Sequence, residues 1–191
     1  MNKPRVGIAL CGSYCTYDKL FSQLAVLADK YELVPIMSET AAATDTRFGT
    51  HADFISRLTS LCGAEPVHSI ADAEPLGPAK PMEALIIAPC TGNTMAKINH
   101  GITDTAVTMA AKAHLRNSKP LVIAFSTNDA LSGSAPNIAG LLNRKNVYFV
   151  PFRQDDPVKK PFSMASDFSL IAPTVESALA GKQLQPLLAA H

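Results

Sequence analysis

The apolar positions change period several times along the chain. Arg5–Leu10 is a short apolar run that stops at Cys11-Gly12-Ser13, the signature of a strand entering a turn. From Tyr17 the spacing becomes helical, with Leu20, Phe21, Leu24, Leu27 and Ala28 on one face. Tyr31–Met37 predicts a second strand, in which Pro35, lacking a ladder donor, belongs at an edge or near the strand end. Phe54, Ile55, Leu58, Leu61 and Cys62 return to helical spacing, with Thr50 as N-cap and Gly63 just past the end. Val67–Ile70 predicts a short strand. Pro75, Gly77, Pro78 and Pro81 then break both periods and predict a loop.

Met82–Ala88 predicts a fully buried strand, followed by helices over Thr94–Asn99 and Thr105–Leu115 with Gly101 between them. Leu121–Phe125 predicts another buried strand, Pro136–Leu142 a helix and Val147–Val150 a short strand. Pro151–Pro161 predicts an extended surface loop and Pro173–Leu179 a last helix. Strands alternating with helices imply a single α/β domain over residues 1–191, with a mostly parallel sheet covered by helices on both faces. In such sheets ligands bind beyond the carboxyl ends of the strands, where strand order reverses. The loops to inspect are therefore Cys11–Thr16, Ser38–Gly49, Pro89–Thr94 and Ser126–Pro136.

Composition narrows the function classes. Of 191 residues 47% are hydrophobic and 17% charged, against about 25% charged in ordinary soluble domains. Surface covered by further copies of the chain would account for this, so a homo-oligomer is expected. Seventeen Lys and Arg against sixteen Asp and Glu give +1, which argues against a nucleic-acid partner, since phosphates are neutralised by clustered cations. No apolar run approaches the roughly 20 residues of a membrane span. Lys3-Pro4-Arg5 and Val6–Leu10 imitate a signal peptide, but the apolar part is short and enters a Gly-Ser turn, so a cytoplasmic first strand is expected. Cys11, Cys15, Cys62 and Cys90 form no CxxC pair, and His51, His68, His100, His114 and His191 show no ligand spacing; reduced thiols and no metal are expected. His100 and His114, on or beside helices, are expected at the surface or an interface. GxGxxG, P-loop and GxSxG motifs are absent.

Three of the four loops share one chemistry. Gly12-Ser13-Tyr14-Cys15-Thr16, Pro89-Cys90-Thr91-Gly92-Asn93-Thr94 and Ser126-Thr127-Asn128-Asp129 each follow a strand, open towards a helix and carry hydroxyls, amides or a small residue. Helix starts offer unpaired N–H groups and partial positive charge, which hold a phosphate without lysines. Capping alone accounts for any one such loop; three at one sheet edge also fit a phosphate-bearing ligand. Cys15 and Cys90 could be activated at a helix start or pack as small apolar groups. Asp129 is the only carboxylate well placed as a base. Arg47 could grip a carboxylate bidentately or pair with Asp45 or Asp53. Lys97 and Lys112 suit interfaces, and Lys159-Lys160 a solvated turn.

Ala88-Pro89-Cys90-Thr91-Gly92-Asn93-Thr94-Met95-Ala96-Lys97, then Gly101-Ile102-Thr103-Asp104, closely resembles a motif of the flavoprotein family of FMN-dependent decarboxylases and flavin prenyltransferases. Gly12-Ser13-Tyr14-Cys15 resembles its phosphate-side turn, and Ser38 falls where the family has a hydroxyl on the flavin. Thr46–Gly49, Ala73–Pro78, Met109–Ala113, Ser126–Leu131 and Gln154–Pro157 are similar to the dipicolinate-forming branch. The resemblance implies a flavodoxin-like, Rossmann-like three-layer fold, trimer-based assembly, and FMN held by Gly12, Ser13, Tyr14, Cys15, Ser38, Thr91, Gly92, Asn93, Thr94, Ser126 and Thr127. Arg47 and Asn128 would meet a small dicarboxylate. It further implies oxidation of a dihydrodipicolinate-type intermediate in the mother cell of a sporulating bacterium, beside a partner chain carrying NADP or NAD. Decarboxylase, prenyltransferase and non-catalytic assembly roles are the alternatives. The family decarboxylases carry a His shortly before the strand that precedes the Asn-containing loop and a Pro-x-Met-Asn clamp after the next strand; here a proline-rich loop and Ser126-Thr127-Asn128-Asp129 stand in those places, which counts against decarboxylation.

Overall fold

The computed structural model describes residues 3–77 and 81–189; Pro78 and His191, named above, lie outside them. Strands β1 (Arg5–Leu10), β2 (Glu32–Met37), β3 (Ala84–Cys90), β4 (Leu121–Thr127) and β5 (Val147–Phe149) pair in parallel in the order β2-β1-β3-β4-β5. This is the flavodoxin-like order, with its reversal between β1 and β3. Two short strands, β6 (Phe152–Gln154) and β7 (Met164–Ser166), extend the sheet antiparallel from Ser126 and Thr127 at the end of β4. Pro35 sits in β2 at the edge of the sheet. Its carbonyl accepts from the Val67 amide on the outer side, where its missing N–H breaks no strand pairing.

Because side chains alternate across a strand, β3 feeds two cores. Leu85 and Ile87 pack with α4 (Ile70–Ala73), α5 (Gly92–His100), α6 (Ala106–Arg116) and α7 (Ala135–Leu142), through Ala73, Met95, Ile98, Val107 and Leu141. Ile86 and Ala88 pack on the other face with α1 (Tyr17–Lys30), α2 (Glu39–Ala43), α3 (His51–Cys62) and α8 (Ile171–Leu179), through Leu20, Leu24, Ala41, Phe54, Leu58, Ile171 and Val175. The stop signals act as expected at α3, where Thr50 accepts from the Asp53 amide and Gly63 adopts a left-handed conformation.

Four expectations are corrected. Val67 makes one bridge to Ile36, and Ser69 caps a helical turn, so Val67–Ile70 is not a strand. Pro151–Pro161 is not wholly a loop: β6 lies inside it, because Phe152 is buried against Phe125 and Phe149. The Ser38–Gly49 loop contains α2, started by the Ser38 hydroxyl. His114 is not at the surface: it is 2% exposed, with Nε2–H donating to the Pro120 carbonyl at 2.9 Å.

Burial of His114 disfavours the imidazolium and lowers its pKa to about 4. An unfolded chain, with the ordinary value near 6.5, then binds more protons between those limits, so folding stability falls as pH drops from about 6.5 to about 4. The loss is about 3 kcal/mol, read by urea unfolding at pH 7 and pH 4.5. His114→Gln, whose amide can still donate to Pro120, flattens that dependence; an unchanged slope in the variant contradicts the assignment.

Candidate functional site

The carboxyl ends of β1, β2, β3 and β4 are stitched into one rim. The Ser38 amide donates to the Leu10 carbonyl at 2.9 Å, joining β2 to β1, and the Cys11 amide donates to the Pro89 carbonyl at 3.3 Å, joining β1 to β3. The Ser13 hydroxyl reaches across to the Ser126 carbonyl of β4 at 2.9 Å. Ser13 has φ 68°, a left-handed conformation that costs a side-chain-bearing residue about 1–2 kcal/mol. That conformation turns the backbone so that a helical turn over Tyr14–Thr16 follows at once.

From the opposite lip of the reversal, Thr91 caps α5, accepting from the Thr94 amide at 3.2 Å. The amides of Gly92 and Asn93, in the first turn of that helix, have no acceptor within it. Asn93 is exposed. Gly92 packs so close to the β4–α7 turn that a Cβ there would lie 3.0 Å from Thr127 Oγ1 and 3.2 Å from Asp129 Oδ1. At Gly12 a Cβ would make only an ordinary contact with Thr91 Cγ2, at 3.4 Å, which places the first loop beside the α5 cap. Gly12, Ser13, Thr91, Gly92, Ser126 and Thr127 are thereby drawn together, with Asn128 exposed beside them.

Thr94 stands apart from this lining. It is buried, and its hydroxyl donates to Cys11 Sγ at 3.3 Å while lying 3.1 Å from the Thr91 hydroxyl, so it braces the rim from below. Burial raises the Cys11 thiol to about 11 and the Cys90 thiol well above its usual value. Both therefore stay protonated at neutral pH and serve packing; Cys15 is the exposed thiol of the rim.

Arg47 arrives by an aromatic support that periodicity did not reveal. Thr46 and Gly49 close a tight turn through paired backbone hydrogen bonds of 3.0 and 3.2 Å. Gly49 has φ 147°, and a Cβ would strike the Phe54 ring at 2.8 Å, so only glycine seats the turn there. Phe54 packs edge-on against Tyr17 at 4.7 Å and stacks with Tyr14 at 6.0 Å, tying the turn to the first loop. Arg47 lies over the Phe48 ring at 4.8 Å. Among the described residues it forms no ion pair, because Asp45 accepts from His51 and Asp53 from the Thr50 hydroxyl.

Asp129 is occupied. Its Oδ1 accepts from the Thr127 and Ser134 hydroxyls; these bonds, Thr127's foremost, hold the carboxyl below its ordinary pKa. It fastens the turn rather than waiting for a proton. Glu39, which no motif singles out, places Oε1 on the Ala106 amide at 3.0 Å, at the start of α6. Lys97 is neutralised within the chain by Asp104 at 2.9 Å.

The flavoprotein family model matches residues 1–158. The dipicolinate synthase B subunit of Bacillus subtilis (strain 168) is 45% identical over 185 residues, covering 96% of this chain and 92% of that protein. The crystal structure of the dipicolinate synthase B subunit from Bacillus halodurans C superposes with a TM-score of 0.90 at 40% identity, covering 100% of this chain and 99% of that one. The FMN-dependent cysteine decarboxylase SpaF shares the fold, with a TM-score of 0.67 at 22% identity over 92% of this chain and 97% of that one.

If Asp129 fastens the turn, Asp129→Ala strands two hydroxyls and removes about 1–3 kcal/mol of stability. At this chain length that is a fall of several degrees in Tm, measured by thermal unfolding. An unchanged Tm contradicts the structural role.

Proposed function

The chain belongs to the flavoprotein family, and from that premise we propose that it is the B subunit of a dipicolinate synthase, a cytoplasmic oxidoreductase component with an FMN-type site at the β1/β3 reversal. The observation that carries this reading is the stitched rim: three loops bearing hydroxyls and helix starts are tied together at the carboxyl ends of β1, β3 and β4, in a chain with 45% identity to the Bacillus subtilis protein. The residues present fit a flavin phosphate, because Gly92 lets the start of α5 pack closely on the β4–α7 turn while that loop and the first supply donors. Gly12, Ser13, Tyr14 and Cys15 would take the phosphate side with Thr91, Gly92 and Asn93. Ser38, Ser126 and Thr127 would meet the flavin, with Thr94 holding Thr91 and Cys11 in place beneath. FMN bound there would supply a flat ring able to accept or return a hydride equivalent.

The net change takes two hydrogens from a dihydrodipicolinate-type ring. A C–H bond breaks and its electron pair leaves as hydride, reducing the oxidised nicotinamide (NAD or NADP) of a partner A subunit. The other hydrogen leaves as a proton to water, and the ring becomes aromatic. The unpaired Arg47 fork suits one substrate carboxylate and the exposed Asn128 amide another. Asp129 takes no proton in this scheme, so the work of this chain is binding and orientation. Exposed apolar residues, among them Phe48, Leu131 and Phe162, suit assembly of further copies on a trimer-based plan. No helix among the described residues is long and apolar enough to cross a membrane.

The test is to purify the chain alone and with its A subunit, and to record flavin absorbance and dipicolinate formation. Full turnover is expected only from the pair. Full-rate formation by the A subunit alone overturns the reading. Arg47→Ala is expected to raise KM by about 10- to 100-fold, the value of a charge-assisted carboxylate contact, with a smaller effect on kcat.

A further inference from the structure

On the far side of the molecule from the rim, a cleft of about 520 Å³ opens between the end of α5, the outer face of α6 and the turn joining α7 to β5. Its floor is apolar, built from Ile98, Ile102, Ala111 and Leu115. Its edges carry four cations and no carboxylate: Lys112 and Arg116 from α6, Arg144 and Lys145 from the turn. Arg144 is held in place by donating to the Ile98 carbonyl at 2.8 Å. Lys112, Arg116 and Lys145 form no ion pair among the described residues, in contrast to neighbouring Lys97 on Asp104.

Four cations at one cleft are a local concentration in a chain of net charge +1. Compensation of the helix dipole accounts for Arg116, in the last turn of α6. It does not account for Lys112 a turn earlier, nor for the pair contributed by a different segment. The volume lies in the range of small-molecule sites. Two cations from α6 and two from the α7–β5 turn, lining one cleft with four apolar residues, suit a ligand that joins more than one anionic group to an apolar body. Bare phosphate would leave the floor unused, and a neutral apolar molecule would leave the cations unpaired.

We propose that this cleft is a second binding site, selective for a small dicarboxylate with an apolar body and distinct from the flavin-type rim. The proposal rests on the cleft alone and stands whether or not the rim makes dipicolinate. The probe is isophthalate (benzene-1,3-dicarboxylate), titrated calorimetrically into the full chain. A binding event is expected that persists in Arg47→Ala and weakens at least tenfold in a Lys112→Glu, Lys145→Glu double variant. Both lysines are exposed, and the milder Lys112→Gln, Lys145→Gln pair, weakening the same event by a smaller factor, serves if charge reversal disturbs folding. The neutral diamide isophthalamide and inorganic phosphate should bind at least tenfold more weakly than isophthalate. The proposal is overturned if isophthalate does not bind, if its affinity is unchanged in both double variants, or if Arg47→Ala alone abolishes it. Loss of self-association in the double variant, with no isophthalate binding by the parent chain, also overturns it and makes the cleft an interface between copies.

Discussion

The chain leaving β1 turns into α1 on one face of the sheet, while the chain leaving β3 turns into α5 on the other, and between these neighbouring turns the layer must open. A backbone at such an opening has amides that no strand or helix can satisfy. The protein closes part of this deficit internally: Cys11 donates to Pro89, Thr94 donates through its amide to Thr91, and Ser13 reaches β4. The Gly92 and Asn93 amides, at the start of α5, have no acceptor within that helix. A nearly neutral chain can in this way attract an anionic tail through oriented dipoles, with no cluster of lysines at the rim.

The stitching fixes the rim at several points. Some ties run between elements, as from Ser13 to β4 and from Thr94 to Cys11, and others close a loop on itself. The first loop leans on the Tyr14–Phe54–Tyr17 ring cluster, and the β4–α7 turn is fastened by Asp129 to Thr127 and Ser134. Gly49 and Gly92 make two of these junctions close enough that a methyl group would collide with what it meets. Buried thiols at Cys11 and Cys90 fill the floor without competing for charge.

The layer order and most helices were legible in the sequence because their signals are strong and local. The seven-residue buried run of β3, the α1 face from Leu20 to Leu27 and the Thr50–Gly63 bracket of α3 each specify one answer. The site loops were legible as polar turns after strands, and the resemblance of residues 88–97 gave them chemistry. Short elements were not legible: β6 and β7 have three residues each, too few to alternate visibly, and exist because Phe152 has Phe125 and Phe149 to pack against. Burial of His114 beside Pro120 is a tertiary fact with no local trace. The resemblance named Thr94 as a cofactor contact, and its burial and bond to Cys11 left no local trace in the sequence. The Gly49–Phe54 contact, which seats the turn carrying Arg47, has one weak signal, a glycine just before a helix cap.

The central claim is that helix-start amides at the β1/β3 reversal recognise an anionic tail attached to a flat ring. Fluorescence titration of the purified chain with FMN and with riboflavin, which share the ring and differ in the phosphate, tests it most directly. The account predicts that FMN binds at least tenfold more tightly than riboflavin. Equal affinities, or no binding of either, would contradict it.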